Sequence, residues 1–134
     1  NLFVENCVMD SPDLDRVVRI KTNSCRGGVI ENIFVRNVEV GQCGESVLKI
    51  NLVYEPKEVC QRGFNPTVRN VYLDNVNCKK SKYGVMIEAL DDECNVYNIE
   101  VKDCNFDGVA TGGNSIKGKT DDIRLVNLRI NGEV

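Results

Sequence analysis

The chain of 134 residues contains no histidine, and that absence removes a large part of enzyme chemistry from what these residues can do alone. Histidine acid–base catalysis and a Ser-His-Asp triad are both excluded. The seven cysteines include no Cys-x-x-Cys pair, so a zinc site would need four thiolates drawn from scattered positions, and neither a metal site nor a cofactor is expected. No apolar run approaches the length of a membrane span, and no charged, apolar and cleavage-site segments open the sequence in the manner of a secretion signal. The formal net charge of −3 denies the chain the basic field that nucleic acid requires.

What is present is a repeat. Ile30 to Val38 (IENIFVRNV), Val68 to Val76 (VRNVYLDNV), Val96 to Cys104 (VYNIEVKDC) and the looser Asp122 to Leu128 (DIRLVNL) share one pattern, and Asn1 to Cys7 (NLFVENC) reads as the same unit already under way. Equivalent apolar positions Leu2, Ile33, Val71, Ile99 and Ile123 are 31, 38, 28 and 24 residues apart, the variation expected of loops inserted on one side of a solenoid. The longest interval holds the irregular stretch Glu55 to Pro66, with Pro56, Gly63 and Pro66. Each alternating run ends in Asn6, Asn37, Asn75, Asp103 or Asn127, residue types that tolerate the left-handed conformation and belong at a sharp turn. Stacked turns would set these side chains one above another.

Each unit carries a second short strand: Val18 to Lys21, Leu48 to Asn51, Val85 to Glu88 and Ser115 to Lys117. The units are β-branched, rich in Asn and of period two, with no stripe at three and four. Strand–turn–strand coils stacked in parallel therefore fit better than a helical solenoid. The expectation is all-β, a single parallel β-helix domain over residues 1–134 with about four to five coils and strands ~4.8 Å apart. Cys7 and Cys104 occupy the places of Val38 and Val76, where a small buried hydrophobe is expected. A disulfide among the loop cysteines Cys43, Cys60 and Cys94 is compatible with a secreted chain.

The chemistry is concentrated in Val18-Arg19-Ile20-Lys21-Thr22. Alternation puts Val18 and Ile20 on one face and Arg19 and Lys21 on the other, a pair of cations suited to a carboxylate or a phosphate. With Ile20, Ile50, Ile87 and Ile116 aligned as inward residues, Arg19, Lys49, Met86 and Ser115 form one outward ladder and Lys21, Asn51, Glu88 and Lys117 the next. Tyr54 then falls at the end of the strand stacked beside the cations, and an aromatic hydroxyl beside two cations suits a sugar acid.

Arg19-Ile20-Lys21-Thr22, the following Gly27-Gly28-Val29, the Ile30-Glu31-Asn32-Ile33 coil, and Ile50 with Tyr54 together resemble the polygalacturonase-type glycoside hydrolases of family 28. The resemblance covers roughly residues 1 to 54, and later coils match by repeat pattern alone. It implies a right-handed parallel β-helix acting on pectin, with Arg19 and Lys21 binding a galacturonate carboxylate beside the scissile bond and Tyr54 lining that site. It also implies inverting hydrolysis by aspartates that act as general acid and as bases toward water. Those aspartates come, in the family, from Asn-Thr-Asp and Asp-Asp segments followed by Gly-His-Gly, all preceding Arg-Ile-Lys.

None of those segments stands at the required place here. Asp91-Asp92 and Asp121-Asp122 both follow Arg-Ile-Lys and read as loop and turn residues, and Asp91, Asp92 and Glu93 lack the spacing of a calcium loop. No catalytic residue is therefore assigned. The expectation is the C-terminal part of a secreted, extracellular or periplasmic pectin hydrolase that holds a pectin or galacturonan substrate and is inactive alone. An N-terminal coil left uncovered at Leu2 and Val4 would then associate with other molecules. A non-catalytic β-helix binding acidic polysaccharide, or serving as an adhesin or tailspike segment, fits the same repeats, and a pectate lyase is the third reading.

Overall fold

The computed structural model describes residues 1–134, and every regular element in it is a β-strand. No helix is long and apolar enough to cross a membrane. The strands are β1 (Leu2–Asp10), β2 (Arg16–Lys21), β3 (Val29–Gln42), β4 (Ser46–Asn51), β5 (Thr67–Cys78), β6 (Tyr83–Glu88), β7 (Val96–Lys102), β8 (Asn105–Phe106), β9 (Ser115–Lys117), β10 (Thr120–Val126) and β11 (Arg129–Ile130). They form two sheets whose strand pairs are parallel. The first runs β1-β3-β5-β7-β10, with β8 paired to β5 and β11 to β8, and the second runs β2-β4-β6-β9. From β1 to β7 the chain visits the two sheets in turn, so a strand's hydrogen-bonded neighbour is its counterpart in the next repeat rather than the next strand in sequence.

The register follows the repeat. Leu2 pairs with Ile33, Ile33 with Val71, Val71 with Ile99 and Ile99 with Ile123. In the second sheet Ile20, Ile50, Ile87 and Ile116 lie in one row, flanked by the Arg19-Lys49-Met86-Ser115 and Lys21-Asn51-Glu88-Lys117 rows. Ile116, in the last strand of that sheet, stays 41% exposed because no further strand covers it.

Asn6, Asn37, Asn75, Asp103 and Asn127 all have φ between 50° and 56°, the left-handed region. A second series, Asn32, Asn70, Asn98 and Asp122, does the same with φ between 52° and 60°. β7 and β10 stop directly before Asp103 and Asn127 as the pattern implies, but β1 passes through Asn6, and β3 and β5 each pass through two such residues without losing their partner strands. A single left-handed residue kinks the strand and advances the inside–outside alternation by one. That is why the buried residues of β5 fall at Val68, Val71, Leu73, Val76 and Cys78, in steps of three, two, three and two.

The asparagine amides then bond along the ladders, Asn37 to Asn6 at 3.2 Å, Asn75 to Asn37 at 2.9 Å, Asn70 to Asn32 at 3.0 Å and Asn98 to Asn70 at 2.7 Å. Ala in these places would incur the left-handed backbone penalty of roughly 1–2 kcal/mol and lose the ladder bonds.

Between the sheets lies one hydrophobic cluster of 26 buried residues, to which the first sheet contributes Val35, Leu73 and Val101 and the second Leu48, Ile50 and Ile87. Burying each such side chain is worth about 1.5–3 kcal/mol. Cys104 is buried in this cluster as a small hydrophobe, whereas Cys7, on edge strand β1, is only half-buried. Leu2 and Phe3 of the same edge are exposed and Val4 is half-buried.

Candidate functional site

Arg19 and Lys21 project from the end of β2, and both lie over the ring of Tyr54. The Arg19 guanidinium carbon is 5.6 Å and the Lys21 Nζ 4.7 Å from the ring centroid. A third cation, Arg26, reaches the same ring at 5.3 Å. Contacts of this type at an exposed site are worth about 0.5–1 kcal/mol each. Their effect here is to hold three positive side chains around one phenol.

Tyr54 is placed by backbone continuity with the cationic strand. Thr22 N–H donates to the Asn51 carbonyl at 2.8 Å and Tyr54 N–H to the Thr22 carbonyl at 3.1 Å, so the parallel pairing of β2 and β4 is carried past both strand ends. Asn23, 1% exposed, locks this junction. Its amide nitrogen donates to the Tyr54 carbonyl at 2.8 Å and to Glu58 at 2.6 Å, while its amide oxygen accepts from the N–H groups of Cys25 and Arg26. One side chain thus fixes the tyrosine, the turn that carries Arg26, and the carboxylate that faces Arg26.

The irregular segment Glu55 to Pro66 packs against this turn. Cys25 and Cys60 form a disulfide, and the Arg62 guanidinium donates to the Ser24 hydroxyl and to the carbonyls of Pro56 and Glu58. Gly27, at φ 60°, faces Phe64 so closely that a Cβ there would stand 3.0 Å from the Phe64 Cβ. Cys60 therefore pairs with Cys25, not with Cys43 or Cys94 as a pairing among loop cysteines would require. Cys94 is exposed and unpaired, and Cys43 is buried against Cys78. The pattern misleads because the cross-link ties the turn after β2 to the excursion one repeat later, and neither segment belongs to the repeat.

Charges around the ring are unevenly compensated. Arg26 pairs with Glu58 at 3.3 Å and with Glu55 at 3.5 Å. The Asn23 amide, and then Arg26, hold the Glu58 carboxyl below the usual carboxylate range, so it is ionised and engaged. Arg19 and Lys21 belong to none of the nine ion pairs in the molecule. Lys49, beside Arg19 in the ladder, is by contrast buried between Glu45 at 3.2 Å and Glu88 at 3.5 Å, and Glu45 also takes both donors of Arg16. Burial pushes the Glu45 carboxyl up, but the bonds from Arg16 and Lys49 outweigh it and hold it below its ordinary value. Of the cations in these rows, Arg19 and Lys21 stand unpaired at Tyr54, Lys49 is neutralised, and Lys117 is unpaired in the last strand, away from the ring.

Of the two acidic pairs, Asp91-Asp92 is in a loop as expected, whereas Asp121-Asp122 lies within strand β10, where Asp121 pairs with Tyr97. Asp91 and Asp92 sit in the exposed connector after β6, where Glu93 accepts from Asn65 at 2.8 Å, and Asp122 is a left-handed ladder residue that pairs with Arg124 at 2.6 Å. The group of metal-ligating side chains that come within 4.8 Å of one another is Cys25, Glu58 and Cys60, and its two sulfurs are consumed by the disulfide. Sequence reasoning did not find Arg26, Asn23 or Glu58. Asn23 directly after the cationic strand, with Gly27-Gly28 following, was the signal for a capped turn. No protein family, curated protein or solved structure matches the chain.

Proposed function

We propose that Arg19, Lys21 and Tyr54 hold the carboxylate of a uronate unit in an acidic polysaccharide, and that the chain is the C-terminal, substrate-holding portion of a polygalacturonase-like hydrolase acting on pectin. In this reading the two parallel sheets are walls of a right-handed β-helix, whose outer face tracks an extended galacturonan chain. The observation that carries it is the pair of cations over one tyrosine ring with no carboxylate of the protein to neutralise them. A guanidinium offers two parallel donors to a carboxylate, the ammonium adds a point charge, and the phenol supplies a flat face with a polar tip for a pyranose ring. The disulfide between Cys25 and Cys60 supports a secreted, extracellular or periplasmic setting.

The carboxylates of the cluster, Glu55 and Glu58, are bound to Arg26, so these residues grip a substrate and do not cleave it. That fact also favours a second reading, a non-catalytic module for acidic polysaccharide. Residues upstream in the gene separate the two: Asn-Thr-Asp, Asp-Asp and Gly-His-Gly segments there support the hydrolase, and their absence supports the module. The carboxylate assignment itself is tested by a crystal of the chain soaked with trigalacturonate. A sugar carboxylate within hydrogen-bonding distance of both Arg19 and Lys21 is expected, and a ligand seated elsewhere, for example at Lys79 to Lys82, sinks the assignment.

A further inference from the structure

We propose that Cys43 and Cys78 are a thiol pair that closes into a second disulfide stapling neighbouring rungs of the first sheet, by exchange with a small anionic disulfide of the glutathione class. Cys78 ends β5, whose neighbour β3 pairs Val40 with it, and Cys43 follows β3 directly. Their sulfurs are 3.9 Å apart. Reaching the disulfide separation of about 2.05 Å asks for a sulfur displacement of about 2 Å. One backbone group ties the two cysteines together: the Lys80 carbonyl accepts both the Cys43 N–H at 2.9 Å and the Cys78 thiol at 3.3 Å.

Both sulfurs are buried, Cys43 4% and Cys78 1% exposed, which would ordinarily protect them. A cavity of about 280 Å³ opens onto Cys43, however, lined also by Ser81, Lys80 and Lys82, with the Asp15 and Asp10 carboxylates set behind the lining residues Gly44 and Gln42 rather than in the lining. Two lysines at that mouth favour an anionic reagent over a cationic one. The Cys43–Cys78 contact pulls the Cys78 thiol down to about 7 and keeps the proton on Cys43.

The exchange balances in two steps. Cys78, having given its own proton to solvent, takes the proton of Cys43 as the Cys43 sulfur attacks the reagent, whose S–S bond breaks; one thiolate leaves and is protonated by solvent. Cys78 then gives its proton to solvent and attacks the Cys43 sulfur, and the second thiolate leaves and takes up a proton. Two S–H bonds and one S–S bond break, one protein disulfide forms, and the reagent is reduced to two thiols.

The test uses the full chain carrying Cys94→Ser, so that the exposed thiol does not report, incubated with glutathione disulfide without denaturant. The thiol titre, counted after denaturation, is expected to fall by two, with the Cys43 and Cys78 peptides linked in a non-reducing map. The dicationic disulfide cystamine is expected to react several-fold more slowly at low salt, and the difference to close at high salt. A Cys43→Ser variant is expected to leave Cys78 unmodified. An unchanged titre, glutathione retained on Cys43 without linkage, modification of Cys78 in Cys43→Ser, or equal rates for the two reagents would each overturn the proposal.

Discussion

Replacing both Cys25 and Cys60 by serine tests how the site is held together. The bridge joins residues 35 positions apart, and the chain-entropy estimate for a loop of that length is about 4 kcal/mol at 25 °C. For a chain of this size that corresponds to a melting midpoint lower by roughly 12–20 °C. The loss divides unevenly. The sheets and the 26-residue core do not contact the bridge through any ladder, so the folded variant keeps its strands, and the excursion from Glu55 to Pro66 is then held by non-covalent contacts only: those of Arg62 and Asn23, the Arg26 ion pairs, the Phe64 N–H and the Asn65 amide. Urea unfolding at pH 7 measures the total, and amide exchange of Glu58 and Phe64, whose N–H groups bond Glu55 and Ser24, measures the local part. A variant whose unfolding free energy stays within about 1 kcal/mol of the parent, with both amides still protected, refutes the view that the bridge organises this site.

Further expectations concern the framework. Leu73→Ala, at a fully buried position between the sheets, should cost about 2–5 kcal/mol in chemical denaturation. Asn70→Ala should cost more than Asn70→Gly, because glycine keeps the left-handed backbone and loses only the amide bonds to Asn32 and Asn98; equal losses would show that the kink is unstrained. For Glu45 the folded carboxyl titrates below its unfolded value, so its contribution is present above about pH 4.5 and lost as pH falls through the folded value. Urea midpoints of the parent and Glu45→Gln should therefore differ at pH 7 and converge as pH falls through the folded value; a constant difference would contradict the pairing.

Much of the framework was legible because period two and β-branched residues constrain it twice, by propensity and by burial. Ile20, Ile50, Ile87 and Ile116 could be aligned before any strand was seen, since a slip of one residue would have turned Arg19 and Lys49 into the core. Asn37 and Asn75 were legible as turns, but not as kinks through which pairing continues, because no propensity separates a strand's end from a bend within it. Lys49 reads as a solvent-facing cation; it is buried between Glu45, four residues before it, and Glu88, which only the stacked register brings to it. Arg26, Asn23 and the Cys25–Cys60 bridge lie where the repeat is interrupted, so there was no equivalent position against which to align them. Arg19, Lys21 and Tyr54 could be placed side by side because two of them belong to the repeat and the third follows a strand that does.

The central claim is that Arg19 and Lys21 await a carboxylate, and calorimetric titration with trigalacturonate and with its methyl ester tests it most directly. Each charge-assisted bond is worth about 1.5–3 kcal/mol, so Arg19→Ala and Lys21→Ala should each weaken binding of the free acid at least about tenfold. Esterification should cost a comparable factor, and the double variant should bind acid and ester alike. Equal affinity of the parent chain for acid and ester, or full binding by the double variant, would contradict the account.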